Sequence, residues 1–327
     1  MVKEWFKLAC KSSNLQLTGT LNGGQSFRWK KLVQDSKDHW IGVFSNKVWI
    51  LQQDCDRILY QVYGADHDSD LNEQYCNELL SNYLHLDVDL SEHYPKWSDR
   101  DPHFKEAAKQ FYGIRILRQD PTENIFSFIC SQNNHISRIS SMVEKLAQYY
   151  GKKICDIDGT SYYSFPEVNA LADNSVEQKL RNNGFGYRAK YISNSAKTIV
   201  ENGGKKWLDE LSEMSYVDSK RNLMSLMGIG AKVADCICLM SLGHLEAIPV
   251  DTHIYQIAAR LYMPKLAKQK TVTEKIYNEI GDHFRGLYGH LAGWAHTVLF
   301  CADLKKFQDT GSKKETVKTK SKKQRVS

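Results

Sequence analysis

Along the first part of the chain short runs of aromatic and β-branched residues alternate with turn formers, whereas further on apolar residues recur every three to four positions. "FRWKKLV" (27–33), "HWIGVFS" (39–45) and "KVWILQQ" (47–53), separated by "QDSKD" and "SN", predict antiparallel strands. "DRILYQVYG" (56–64) predicts a further strand, and the spacing in "DLNEQYCNELLSNYLHL" (70–86) predicts a helix. Residues 1–120 therefore read as an antiparallel sheet with a few helices.

From residue 121 the period becomes helical and stays so. "DPTENIFSFICSQ" opens with Asp120 as N-cap, Pro121 at the first helical position and Glu123 placed to complete a capping box. The next helix carries Ile136, Ile139, Met142, Val143 and Leu146 on one face, after the polar break "SQNNHISR" (131–138). "GFGYRAKYISNSAKTIV" (184–200) is a Gly-x-Gly break followed by a helix. "VDSKRNLMSLM" and "AKVADCICLMSL" flank a second such turn at Gly228–Gly230, and "DTHIYQIAARLYM" and "AGWAHTVLFCADL" complete an all-helical region over 121–305.

Composition adds bounds. With 42% hydrophobic and 25% charged residues among 327, the chain reads as a globular protein large enough for more than one domain. No apolar run is long enough to span a bilayer, which argues against a membrane protein. The start lacks a signal-peptide apolar stretch, and its weakly amphipathic, mitochondria-like character is countered by Glu4. The eight cysteines have no metal-type spacing, so reduced core thiols are expected, with neither a zinc nor an iron–sulfur centre and no cofactor. Of the net charge of +6, residues 305–327 contribute +7 and the remainder −1. The tail over 306–327 is thus expected to be disordered and suited to nuclear import or loose attraction to phosphates. Any nucleic-acid contact of the body must come from a local patch.

Two helices joined by a Gly-x-Gly turn form a helix-hairpin-helix. Glycine permits φ > 0 and close approach of backbone to a ligand. The free N–H groups of the second helix, aided by its dipole, suit a DNA phosphate. An ordinary helical hairpin fits the turn equally. Lys232 lies in the first turn of that second helix, where the dipole and partial burial disfavour the ammonium and leave a nucleophilic amine suited to a Schiff base. From spacing alone, pairing with a phosphate remains the simpler role. Asp251 changes the balance. Preceded by Pro249, it is placed to cap the next helix and to stay ionised there. An amine nucleophile beside an anion that stabilises an oxocarbenium-like carbon is what breaking an N-glycosidic bond requires.

"LMGIGAKVADCICLMSLGHLEAIPVDTH" (226–253) resembles the hairpin and catalytic segment of the eukaryotic 8-oxoguanine DNA glycosylases. "GGQSFRW" (23–29), "FSFICSQNNHISR" (126–138), "GFGYRAKY" (184–191) and "GWAHTVLFCADL" (293–304) are similar to other blocks of that family, in the same order. The resemblance implies an α+β fold, a TBP-like antiparallel sheet domain followed by all-helical helix-hairpin-helix glycosylase domains. It also implies removal of 8-oxoguanine opposite cytosine from double-stranded DNA, then β-elimination at the abasic site, by a monomer without metal. Lys232 would attack the sugar C1′ and Asp251 would stabilise the developing charge. The flipped base would lie between Phe300 and Cys236, near Pro249 and His253. The Gly24 carbonyl would accept from N7–H, which guanine lacks. Tyr187 would wedge into the vacated stack, while Asn133, Arg138 and Arg188 read the orphaned cytosine. The Gly228–Gly230 turn would hold the DNA backbone. A nuclear location follows, with a mitochondrial pool as the alternative.

Two positions depart from the family. Met227 stands where proline is usual, and both turn glycines are kept. His296 stands where a glutamine normally meets the base's Watson–Crick edge, which bears on base discrimination and leaves the reaction type untouched. Two rivals weigh less. A silent DNA-binding module has no use for Lys232 with Asp251, and a monofunctional alkylbase glycosylase lacks the lysine.

Overall fold

The structure is a computed structural model that describes residues 4–34, 37–64, 71–269 and 271–304; the basic tail lies outside the described residues. Five strands, β1 (Phe6–Ala9), β2 (Lys30–Gln34), β3 (Lys37–Phe44), β4 (Lys47–Gln53) and β5 (Arg57–Tyr63), form one antiparallel sheet in the order β1-β5-β4-β3-β2. The four strands expected from alternation are all present. β1, in a segment from which no strand was expected, completes the sheet along β5.

A short helix α1 (Leu17–Leu21) precedes β2, and α2 (Glu73–Tyr83) follows β5, capped by Asn72. They cover one face of the sheet, where Trp40, Trp49, Leu51 and Tyr60 pack with Cys76, Leu80 and Tyr83. Next come α3 (Leu90–Arg100) and α4 (Pro102–Ala108). Their Tyr94, Trp97 and Phe104 belong to the core of the helical region, not to that of the sheet. Residues before 120 thus contribute to the helical core as well as to the sheet's own.

The helical region runs α5 (Pro121–Ser131), α6 (Ile136–Tyr150), α7 (Val168–Leu171), α8 (Val176–Asn182), α9 (Arg188–Glu201), α10 (Lys205–Glu213), α11 (Tyr216–Met224), α12 (Ala231–Met240), α13 (Thr252–Ile257) and α14 (Glu274–Tyr288). A last helix, α15, spans 292–304. It is not all helical. Between α6 and α7 lies a hairpin, β6 (Lys153–Ile157) and β7 (Thr160–Tyr163), turning on Asp158 and Gly159 with φ of 47° and 76°. "KICDIDGTSYY" carries the signal: β-branched and aromatic residues around an Asp-Gly turn. Its Ile154, Ile157 and Tyr162 cover the other face of the large sheet at Ile41, Val43 and Val48.

Two local expectations are corrected. Asp120 caps α5 by accepting from the Glu123 amide at 3.1 Å, but the Glu123 carboxylate turns inward to Arg28, 3.5 Å away. Burial outweighs that guanidinium and pushes Glu123 up to about 7. On α6, Ile139, Met142, Val143 and Leu146 are buried, whereas Ile136, at the first turn of the helix, is 52% exposed.

Candidate active site

α12 starts at Gly230 with no side-chain cap, which leaves its first N–H groups free of a side-chain partner, and Lys232 sits in that first turn. The remainder of α12 is buried through residues 233–240. Its one acidic side chain, Asp235, is fully buried and takes hydrogen bonds from Tyr216 Oη (2.6 Å), Tyr277 Oη (2.5 Å) and Lys220 Nζ (2.8 Å). Those bonds fix α12 to α11 and α14. A carboxylate in the apolar run "VADCICLM" was the signal for this network, which sequence reasoning passed over.

Asp251 caps α13, accepting from the Ile254 amide at 2.9 Å. Lys232 and Asp251 open onto one narrow cavity of about 60 Å³, shared with Gly24, Cys236, Pro249, His296 and Phe300. Every residue expected around the base except His253 lines it, and Gln25, Phe128, Leu239, Met240 and Thr297 join them. His253 stands behind Phe300, edge-on with ring centroids 5.9 Å apart. The Lys232 ammonium lies over the Phe128 ring, 5.1 Å from its centroid. Burial pushes the Cys236 thiol up to about 11 although Lys232 is beside it, so Cys236 is an uncharged wall. Gly24 has φ +77° and a side chain there would point toward Phe300 Cε1, 4.0 Å from the Cβ position.

His296 is buried, and the backbone of Pro249 and Gly293 faces its ring. Burial drives the imidazole down to about 4, against the opposing pull of the Asp251 carboxylate. It is therefore a neutral ring at physiological pH.

The remaining residues gather on an outer rim. Tyr187 is 45% exposed, with its hydroxyl 3.2 Å from the Gln132 carbonyl. Asn133 is exposed at φ 46°, and Arg138, also exposed, donates to the Gly184 carbonyl at 3.1 Å. Arg188 lies deeper. It is buried, and its guanidinium donates to the carbonyls of Gln132 and Asn133 (3.2 Å to the latter). It braces the loop that displays Asn133. In the hairpin turn the two glycines differ. Gly228 needs its φ of +86°, and a Cβ would meet Tyr191 Cδ2 at 2.4 Å. Gly230 has an ordinary extended backbone and open space around it. At Met227 the turn is held by Ile229 N donating to Leu226 O at 3.1 Å and Ser195 Oγ donating to Met227 O at 2.9 Å.

A larger cleft of about 1060 Å³ opens elsewhere, between the β3–β4 turn, the start of α5 and the end of α12. It contains neither Lys232 nor Asp251. Among the described residues no group of acidic, histidine and cysteine side chains could hold a metal.

A sheet domain joined to a helix-hairpin-helix bundle, with a lysine and a capping aspartate on one narrow pocket, defines a base-excision glycosylase architecture. The model of the HhH-GPD superfamily base excision DNA repair proteins matches residues 126–282, and that of the 8-oxoguanine DNA glycosylase N-terminal domain matches 7–125. The chain is 37% identical to the N-glycosylase/DNA lyase OGG1 of Arabidopsis thaliana, covering 92% of this chain and 80% of that one. It is also 37% identical to the N-glycosylase/DNA lyase of Saccharomyces cerevisiae, covering 91% and 86%. Among solved structures, the 8-oxoguanine glycosylase/lyase of Clostridium acetobutylicum, in complex with double-stranded DNA containing cytosine opposite 8-oxoguanine, superposes with a TM-score of 0.77 at 31% identity, covering 90% of this chain and 93% of that one. The chain belongs to the 8-oxoguanine DNA glycosylase family.

Proposed function

We propose that this protein is a bifunctional DNA N-glycosylase and abasic-site lyase that excises 8-oxoguanine paired with cytosine. The observation that carries the reading is the convergence of Lys232, Asp251, Cys236 and Phe300 on one pocket with Gly24. An extrahelical base slots between Phe300 and Cys236, as enzymes that act on bases must take them out of the stack. The Lys232 amine attacks C1′, and the electron pair of the N-glycosidic bond leaves with the base. The Asp251 carboxylate, held by its cap, stabilises the positive charge that develops on the sugar. The sugar ring then opens as the C1′–O4′ bond breaks and O4′ takes a proton, which turns the lysine adduct into a Schiff base. This acidifies the C2′ proton, and loss of that proton expels the 3′ phosphate. Selectivity comes from the Gly24 carbonyl, which accepts from the N7–H of 8-oxoguanine and faces only a lone pair on guanine. Two opposed acceptors in a dry pocket cost about 1–3 kcal/mol. Tyr187 fills the vacated stack, Asn133 and Arg138 meet the orphaned cytosine, and Arg188 supports them from beneath.

One chain supplies the whole pocket, which supports action as a monomer. The basic tail supports a nuclear site of action. The test is borohydride treatment with an 8-oxoguanine:cytosine duplex. The parent protein forms a covalent adduct, and Lys232→Gln forms none and nicks no strand while still binding the duplex. Trapping by Lys232→Gln would refute the assignment.

A further inference from the structure

We infer that Gln25 and Gln119 are positioning residues that hold the base-selecting wall of the pocket at a fixed distance from the nucleophile's helix. The inference rests on the reading of Gly24 as the selective acceptor. Gln25 directly follows Gly24 and is fully buried. Its side-chain amide donates to the Arg115 carbonyl at 2.7 Å and accepts from the Leu117 amide at 3.0 Å. Its own carbonyl accepts from Gln119 Nε2 at 2.9 Å. The backbone N–H of Gln119 in turn donates to the Met240 carbonyl at 2.8 Å, at the end of α12. Met240, Gln25 and Gly24 all line the cavity.

The path is continuous: Gly24, Gln25, Gln119, then α12, which carries Cys236 and Lys232. The segment between them is itself anchored. Arg115 is buried and donates to the carbonyls of Asn14 (2.7 Å), His85 (2.9 Å) and Val88 (2.7 Å). A clamp tied to such a strap fixes the peptide unit that contains the Gly24 carbonyl. Position matters most at that atom, because a hydrogen bond that selects by N7–H depends on both distance and direction. Gln119 lies outside the cavity and acts on it through Gln25, so the chemistry at C1′ does not depend on Gln119 directly.

The separation of reading from chemistry supplies the test. Gln119→Met removes the donor to Gln25, and Gln25→Glu sets a second acceptor against the Arg115 carbonyl while keeping the one for Leu117. Both are assayed in single turnover on an 8-oxoguanine:cytosine duplex and on a duplex with a preformed abasic site opposite cytosine. Excision of 8-oxoguanine falls by ~10-fold or more in both, since misplacement of a contact by about 1 Å costs up to about 100-fold. For Gln119→Met, at a residue outside the cavity, cleavage and borohydride trapping at the abasic site stay close to the parent's. In a Lys232→Gln background, each change also narrows the preference for the 8-oxoguanine duplex over the undamaged one. If both activities hold, or both fall in step with thermal stability, the glutamines are ordinary core residues and the inference is overturned. Failure of the parent to trap on either duplex would instead sink the glycosylase reading.

Discussion

His296 changes its expected behaviour once its surroundings are known. An imidazole at its usual value would lose base affinity on acidification through about pH 6.5. Burial, however, holds His296 neutral down to about 4. Excision by the parent and by His296→Gln is therefore expected to follow superimposable pH profiles between about 5.5 and 8. The glutamine variant should excise at least as well, because an amide presents both donor and acceptor where a neutral ring presents one nitrogen. Acid sensitivity appears in stability instead. The unfolded chain takes up the proton near pH 6.5 and the folded chain only near 4, so stability falls as pH drops through that window, by up to about 3 kcal/mol from this group. Urea denaturation at pH 7 and pH 5 checks it, and His296→Gln should lose less on acidification than the parent. Equal losses would mean that the ring is solvated in the folded protein. The identity of this residue was legible in "GWAHTVLF"; its protonation state was not, because it depends on what α15 packs against.

The hairpin turn makes a second case in which sequence and structure part. Gly228 and Gly230 look equivalent in "GIG", and the motif treats them alike. Only Gly228 occupies the left-handed region, with Tyr191 against it. Gly228→Ala should cost about 1–3 kcal/mol through strain. It should also weaken duplex binding, because Tyr191 packs edge-on against Tyr187, centroids 5.4 Å apart. Gly230→Ala should leave the melting temperature unchanged and lower affinity only if the phosphate approaches that backbone. Thermal melts and duplex titrations of the two variants separate the roles. The elements themselves were largely legible: four of the five strands of the large sheet, the helices on either side of the turn, and the caps at Asp120 and Asp251. What escaped was short or lay at an edge. β1 has four residues, and β6–β7 interrupts a helical run whose period masked it.

For the molecule entire, charge is unevenly placed: residues 305–327 carry +7 and the rest −1. Duplex affinity should therefore decline with salt on a shallow slope set by a few phosphate contacts. Deleting residues 306–327 should reduce non-specific DNA binding and nuclear accumulation, with single-turnover excision unchanged. A large drop in that rate would show the tail to be part of the active domain. How the pocket assembles could not be read from spacing, since it joins Gly24, residues 232–236, 249–251 and 296–300 across nearly the length of the chain. The ordered blocks of the resemblance located these residues, and packing shows why they meet.

α15 has one further consequence. It carries His296 and Phe300 on the pocket, and its Trp294 is completely enclosed and donates to the Ile114 carbonyl at 2.7 Å. Ala292, Ala295 and Val298 are equally enclosed. A chain interrupted before this helix would still possess Lys232 and Asp251, and with them the means to nick DNA without inspecting the base. It would also lack a wall of its core, a loss larger than any single buried side chain and enough to unfold a marginally stable protein. Because the same helix completes both the base-reading wall and the fold, a product truncated before residue 292 should show neither a cooperative melt nor cleavage at an abasic site, and either one in such a product would show the helix to be dispensable.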